Sequence, residues 1–135
     1  MNAEFPIGEA DLVALIGSRI CHDLVSPVGA IGNGVELLGM AGATGEPGAE
    51  LDLVRESVES AQARLRFFRL AFGHAGPGQE VGRAEVLGIL TQLYGDGRLR
   101  VHWAVEGTRA RAEVKLALLL LLCLESAMPY GGQVH

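Results

Sequence analysis

His22 and Asp23 stand side by side in the run Ile20 to Glu36, I-C-H-D-L-V-S-P-V-G-A-I-G-N-G-V-E, with Ser26 one helical turn beyond the histidine and Pro27 directly after it. An imidazole is a nucleophile near neutral pH. A neighbouring carboxylate can hold it in one tautomer and take up a proton as it attacks an electrophile. Pro27 has no N–H for the carbonyl of Asp23, so a helix is expected to bend or loosen beside the histidine and expose both groups. Taken alone, these residues leave two readings open: a nucleophilic site, or an ordinary surface histidine on a helix that contains a proline.

The element that carries them is legible from spacing. Cys21, Leu24, Val28, Ile31, Val35 and Leu38 recur at alternating steps of three and four, which predicts an amphipathic helix with a coiled-coil-like seam. At about 100° per residue, His22 lies roughly 160° round the helix from Leu24, away from that seam. Ser18, Ser26, Gly29 and Asn33 share its stripe, and such small residues would let another protein approach the imidazole closely. The helix is expected from about Leu12 to Leu38, with Asp11 as its cap, after a loose lead-in at Met1 to Glu9. Glycines 17, 29, 32 and 34 each lower intrinsic helicity by up to ~1 kcal/mol relative to alanine, which makes sense where close packing rewards small residues.

Gly39 to Gly48 is a turn by composition. A second helix follows, with Leu51, Val54, Val58, Ala61, Leu65, Phe68 and Phe72 in strict three-four alternation and with acidic residues early and Arg64, Arg66 and Arg69 late, as the helix dipole favours. Two such helices make an antiparallel hairpin, and a lone hairpin leaves apolar surface wet. Pairing two copies into a four-helix bundle is the economical solution, so a homodimer is expected.

Gly73 to Gln79 reads as a linker. Beyond it, Val86 to Tyr94 predicts a third helix ended by Gly95, and Leu99 to Val105 alternates as a half-buried strand. Ala110 to Met128 is a helix apolar nearly all round and is expected to be sandwiched between other elements. Pro129 to Gly132 is a turn, and Gln133 to His135 starts a further strand. A sheet this incomplete makes the sequence read as cut short.

The totals bound what the chain can do. With 135 residues, half apolar, a fifth charged and a net charge of −5, it is expected to bury a core and not to take nucleic acid as its main partner. No signal peptide is visible, and the apolar run Val114 to Leu124 is about half the length that spans a bilayer. Cys21 and Cys123 are expected to pack as small hydrophobes in a reducing cytoplasm. Cys21 belongs to the seam, so it is a poor candidate nucleophile. No second histidine lies one turn from another, so no metal site is expected. His74 reads as a solvated linker residue, and His102 falls on the polar face of its strand. Gly131-Gly132 alone is too weak to define a phosphate loop.

H-D-L-V-S-P resembles the phosphoacceptor box of dimerising histidine kinases and histidine phosphotransferases. The wider run S-R-I-C-H-D-L-V-S-P-V-G-A-I-G-N-G-V-E-L-L is similar to the ChpT-type histidine phosphotransferases of alphaproteobacterial cell-cycle signalling. Further on, L-L-L-L-L-C-L-E-S-A-M-P-Y-G-G resembles the degenerate ATPase-like domain of that family. The resemblance implies a mainly α, then α+β, architecture. Residues 1–73 would form the hairpin for dimerisation and phosphotransfer, and residues 80–135 a partial, degenerate ATPase-like α/β sandwich. It implies His22 as phosphoacceptor, Asp23 as its acid-base neighbour and Ser26 as a polar residue that contacts the partner or positions water. Pro27 would mark the kink, and Ser18, Arg19, Val25, Gly29 and Asn33 the ground on which partners land.

A working kinase needs an ATP site, typically with an asparagine on the helix equivalent to Ala110 to Met128 to hold magnesium. No asparagine occurs after Asn33, and Cys123 and Glu125 stand about where it would fall. The expected role is therefore relay without ATP. A phosphoryl group would pass through His22 between the receiver domain of a hybrid histidine kinase and response regulators, in the cytoplasm and away from any membrane. No cofactor is expected on this chain, and the magnesium would sit in the partner receiver. The alternative is a non-catalytic dimeric scaffold or inhibitor that binds a kinase or response regulator. The Arg64, Arg66, Arg69 group keeps two readings, a complement to the helix C-terminus or a hold on an acidic receiver surface.

Overall fold

The computed structural model describes residues 8–41 and 48–135. Its first element, α1 (Glu9–Ala41), starts three residues before Leu12. Asp11 caps it from inside the first turn, where its Oδ2 accepts from the N–H of Gly8 at 3.3 Å. The helical run continues through Pro27, whose ring is buried, and takes in Gly39. The rest of the turn expected at Gly39 to Gly48, residues 42–47, lies outside the described residues.

Helix α2 (Gly48–Ala71) returns antiparallel to α1: Gly34 lies against Val54 near one end of the hairpin, and Asp23 faces Arg64 near the other. Gly34 shows why a glycine is kept inside a helix. A Cβ there would come within 2.5 Å of Val54 Cγ2, so the two helices meet more closely than alanine allows. The seam splits into two stripes. Leu24, Ile31 and Leu38 are half-buried towards α2, whereas Cys21, Val28 and Val35 are exposed, as are Leu51 and Leu65 of α2. A three-four alternation spans two adjacent stripes of a helix, and one neighbour covers only one of them.

The second unit consists of β1 (Glu80–Val81), α3 (Arg83–Tyr94), β2 (Leu99–Val101), β3 (Arg109–Ala110), α4 (Arg111–Ala127) and β4 (Gly132–Val134). β1 pairs antiparallel with β3, and β2 pairs parallel with β4 in the register Leu99↔Gly132, Val101↔Val134. The short β1–β3 pair gives no sequence signal, since two residues are too few for a period. The strand expected over Leu99 to Val105 stops at Val101, although burial goes on alternating as far as Val105. Its last ladder bond runs from the N–H of His102 to the carbonyl of Val134 at 2.8 Å, and beyond that point no described strand offers a partner. Gly131 makes the turn into β4 with φ +89°, and a Cβ there would collide with the carbonyl of Arg98.

One core joins the units. Phe67, Phe68, Leu70 and Ala71 of α2 pack with Val86, Ile89 and Leu90 of α3 and Val114, Leu118 and Leu121 of α4. Phe67 and Phe68 meet edge to face at 5.9 Å, and Phe68 stacks on Phe72 at 5.6 Å. Helix α4 is fastened to the end of α2 as well. Lys115 Nζ donates to the carbonyl of Gly73 at 2.8 Å, and Arg111 Nη2 to that of Arg69 at 3.1 Å, two cations on carbonyls left free at a helix C-terminus.

Two expectations are corrected here. Helix α4 is not sandwiched: it buries one stripe, while Leu116, Leu120 and Leu124 are exposed. Leu120 and Leu124 border an apolar cavity of about 210 Å³ with Trp103 and Val101. Nor do the cysteines pack inside, since Cys21 and Cys123 are both exposed and free. Each belongs to an apolar pattern whose outer half no described element of this chain covers.

Candidate functional site

Helix α1 presents His22 with its side chain 86 % exposed. Ser18, Val25, Ser26, Gly29 and Asn33 are exposed too, so the stripe read from the spacing is open to solvent. Beneath it the environment is charged and ordered. Asp23, only 12 % exposed, places Oδ1 3.2 Å from Nδ1 of His22. Its other oxygen, Oδ2, accepts from Arg19 Nε at 3.0 Å and lies 3.6 Å from Arg64 Nη1. Arg19 also donates through Nη2 to Glu125 Oε2 of α4 at 3.0 Å, and Tyr94 Oη donates to the same oxygen at 3.4 Å.

The chemistry follows from these contacts. An acceptor at Nδ1 favours the tautomer with the proton there, which leaves the lone pair on Nε2, a nitrogen with no hydrogen bond to the described residues. Asp23 faces two guanidiniums through Oδ2 and the ring through Oδ1, an arrangement that orients the imidazole and balances charge on it. The cluster of Asp23, Glu125, Arg19 and Arg64 pairs two carboxylates with two guanidiniums and is neutral as a whole. Burial works against the charge on Arg19, but hydrogen bonds and attraction from Asp23 and Glu125 outweigh it and raise its pKa. Tyr94 is held well above the ordinary phenol range, chiefly by burial and then by the charge of Glu125.

Sequence reasoning reached His22 and Asp23, and the structure brings the two together. It grouped Arg19 with exposed docking residues, whereas Arg19 is half-buried and bonded on both sides. The four-residue spacing of Arg19 and Asp23 is an ion-pair signal in itself. The arginine group divides: Arg64 turns towards Asp23, while Arg66 and Arg69 are exposed. The links from Glu125 and Tyr94 join distant parts of the chain, and no local pattern announces them. Among the described residues no three His, Cys, Asp or Glu side chains gather into a metal-binding set.

Residues 83–135 match the histidine phosphotransferase C-terminal domain family. Over 138 aligned residues the chain is 39 % identical to the protein phosphotransferase ChpT of Brucella abortus (strain 2308), an alignment that takes in 99 % of this chain and 64 % of that protein. Nearly the whole chain is thus similar to a ChpT phosphotransferase. Its fold agrees with the 1.7 Å structure of a bacterial phosphotransferase at a TM-score of 0.69 and 36 % identity, over 93 % of this chain and 60 % of that one. The chain thus spans somewhat less than two thirds of the ChpT protein it matches. The ChpT likeness covers α1 and α2 together with the second unit, so it includes the stretch that carries His22 as well as the part matched by the C-terminal domain family.

Proposed function

We propose that this chain acts as a histidine phosphotransferase in a two-component phosphorelay. His22 accepts a phosphoryl group from the aspartyl phosphate of one receiver domain and hands it to another. The observation that carries the reading is the exposed imidazole with Asp23 on Nδ1, set in a stripe of small exposed residues on a helix with a ChpT-like sequence. Nε2 attacks phosphorus, the P–O bond to the receiver aspartate breaks, and its carboxylate leaves as an anion. The resulting phosphoimidazolium keeps its proton on Nδ1, against Asp23. Magnesium belongs to the acidic pocket of the receiver, where it neutralises the phosphoryl oxygens during in-line transfer. Ser18, Val25, Ser26, Gly29 and Asn33 form the landing ground, for the receiver of a hybrid histidine kinase on one side of the relay and for response regulators on the other.

Several features support the rest of this reading. Glu125, near the place where a kinase would hold magnesium, is engaged by Arg19 and Tyr94, which favours relay over ATP chemistry. The uncovered stripe Cys21, Val28, Val35 with Leu51 and Leu65 suits a second copy, giving a dimeric four-helix bundle from residues 1–73. Residues 80–135 would be the degenerate ATPase-like part, and the family match over 83–135 supports a C-terminal unit there. Helix α1 is long and apolar enough, by length and composition, to cross a membrane. Arg19, His22 and Asp23 on it, and its packing along α2, favour a bundle helix and a cytoplasmic relay.

The test is direct. Mixed with a phosphorylated receiver and magnesium, the parent chain should gain acid-labile label on histidine and His22→Ala should gain none. Equal labelling of the two would end the proposal.

A further inference from the structure

The ion pairs beside His22 cross from one unit of the molecule to the other. Glu125 lies 106 residues from Arg19 in sequence, yet one guanidinium reaches both carboxylates, with Nη2 on Glu125 and Nε on Asp23, each at 3.0 Å. Tyr94, on α3, closes the chain by donating to Glu125. At the opposite end of α4, Arg111 and Lys115 hold the end of α2, so this helix is tied to the hairpin at both ends. One of those ties ends on Arg19, which in turn bonds Asp23 beside the imidazole.

We infer that Arg19 and Glu125 are positioning residues: Glu125 holds Arg19, Arg19 holds Asp23, and Asp23 holds His22 with Nε2 outward. The seating of the second unit on the hairpin thereby governs how readily His22 takes a phosphoryl group. This rests on the phosphoacceptor reading given above. Two physical arguments carry it. A planar guanidinium that engages Oδ2 from a fixed direction leaves Oδ1 to face Nδ1; released from it, the carboxylate can rotate about its terminal torsion and turn away. The second argument is charge. With two carboxylates and two guanidiniums the cluster is neutral, and loss of the Glu125 charge would leave it with one net positive charge. That excess opposes the positive charge that develops on the ring as the Nε2–P bond forms and Nδ1 keeps its proton.

Glu125→Gln in the full chain keeps the shape of the side chain and removes only its charge. Three measurements then apply: the His22 tautomer from nitrogen chemical shifts, the rate of labelling by phosphoramidate (whose P–N bond breaks as ammonia leaves) and the affinity for the receiver. Expected are a lower share of the Nδ1–H tautomer, labelling slower by about tenfold, as for residues coupled in one network, and unchanged receiver affinity. Arg19→Lys keeps the charge but cannot span both carboxylates, so it should move the tautomer in the same direction. In an Arg19→Gln background, Glu125→Gln should have no further effect on the tautomer and only a smaller, purely electrostatic effect on the rate. An unchanged tautomer in Glu125→Gln overturns the inference, even if stability or receiver affinity falls. So does an effect of Glu125→Gln that persists undiminished in the Arg19→Gln background. If the parent takes phosphate from neither the receiver nor phosphoramidate, the phosphotransferase reading fails, and the tautomer measurement still decides whether Arg19 and Glu125 position the ring.

Discussion

The two halves of the hairpin use their apolar residues differently. Among the described residues of α1, no large aliphatic or aromatic side chain is buried. In α2, Phe67, Phe68 and Leu70 are all buried, and the hydrophobic core of the chain gathers around them. One end of the hairpin is thus filled by its own second unit, while the rest presents Val28, Val35, Leu51 and Leu65 to solvent. The difference separates two kinds of burial. The core around Phe67 forms within one chain, whereas the outer stripe suits a second copy. His22 stands on α1 close to where the two regimes meet, with Asp23 as its link to the filled end.

Removing the centre of the filled end should have the largest effect on stability. Phe67 is 2 % exposed, and Phe67→Ala is expected to destabilise the fold by about 3–5 kcal/mol in denaturant unfolding, by lost transfer energy and the cavity left behind. A change below about 1 kcal/mol would mean that the core does not close on α2. The outer stripe should answer to a different experiment. Val28→Glu with Val35→Glu would place carboxylates in the proposed bundle interface and should weaken the dimer by about a hundredfold or more in sedimentation, because unpaired buried charges are strongly unfavourable. The same pair should change monomer stability little, since both valines are more than half exposed. A dimer that survives this double change, or a parent that is monomeric, would move the unpaired stripe to some other partner.

What could be read from the sequence divides along the same line. Periodicity places Leu24, Val28, Val35 and Phe68 on helical faces, and Gly95 and Gly131 mark real ends and turns. His22 and Asp23 are adjacent, so their partnership needs no tertiary information. Periodicity cannot say which of two neighbouring stripes the chain covers itself, so Val28 and Leu24 looked alike and Cys21 looked buried. The α4 pattern misled for the same reason: Leu118 and Leu120 are equally apolar, and only the packing of α2 and α3 distinguishes them. Glu125 was legible as a residue where a kinase would hold an asparagine. Its contact with Arg19 depends on how two units dock, and a single sequence carries no trace of that.

Tyr94 offers a smaller and more local test of that docking, because it belongs to the filled end and yet reaches the ion pairs beside His22. Burial and the charge of Glu125 hold its pKa above the value of about 10 expected in the unfolded chain. The folded state therefore binds the phenol proton more tightly than the unfolded state does. The stability that follows is complete below pH of about 10 and is lost as pH climbs from there through the folded pKa. Unfolding curves across that alkaline window should fall more steeply for the parent than for Tyr94→Phe, which has no proton to lose, while the two differ little at neutral pH apart from one weak hydrogen bond at 3.4 Å. If both fall alike, Tyr94 is solvated, and the second unit is not seated against Glu125. If only the parent falls steeply, the filled end extends as far as the charges that orient His22, and docking of the second unit and reactivity at the histidine become properties of one packed junction.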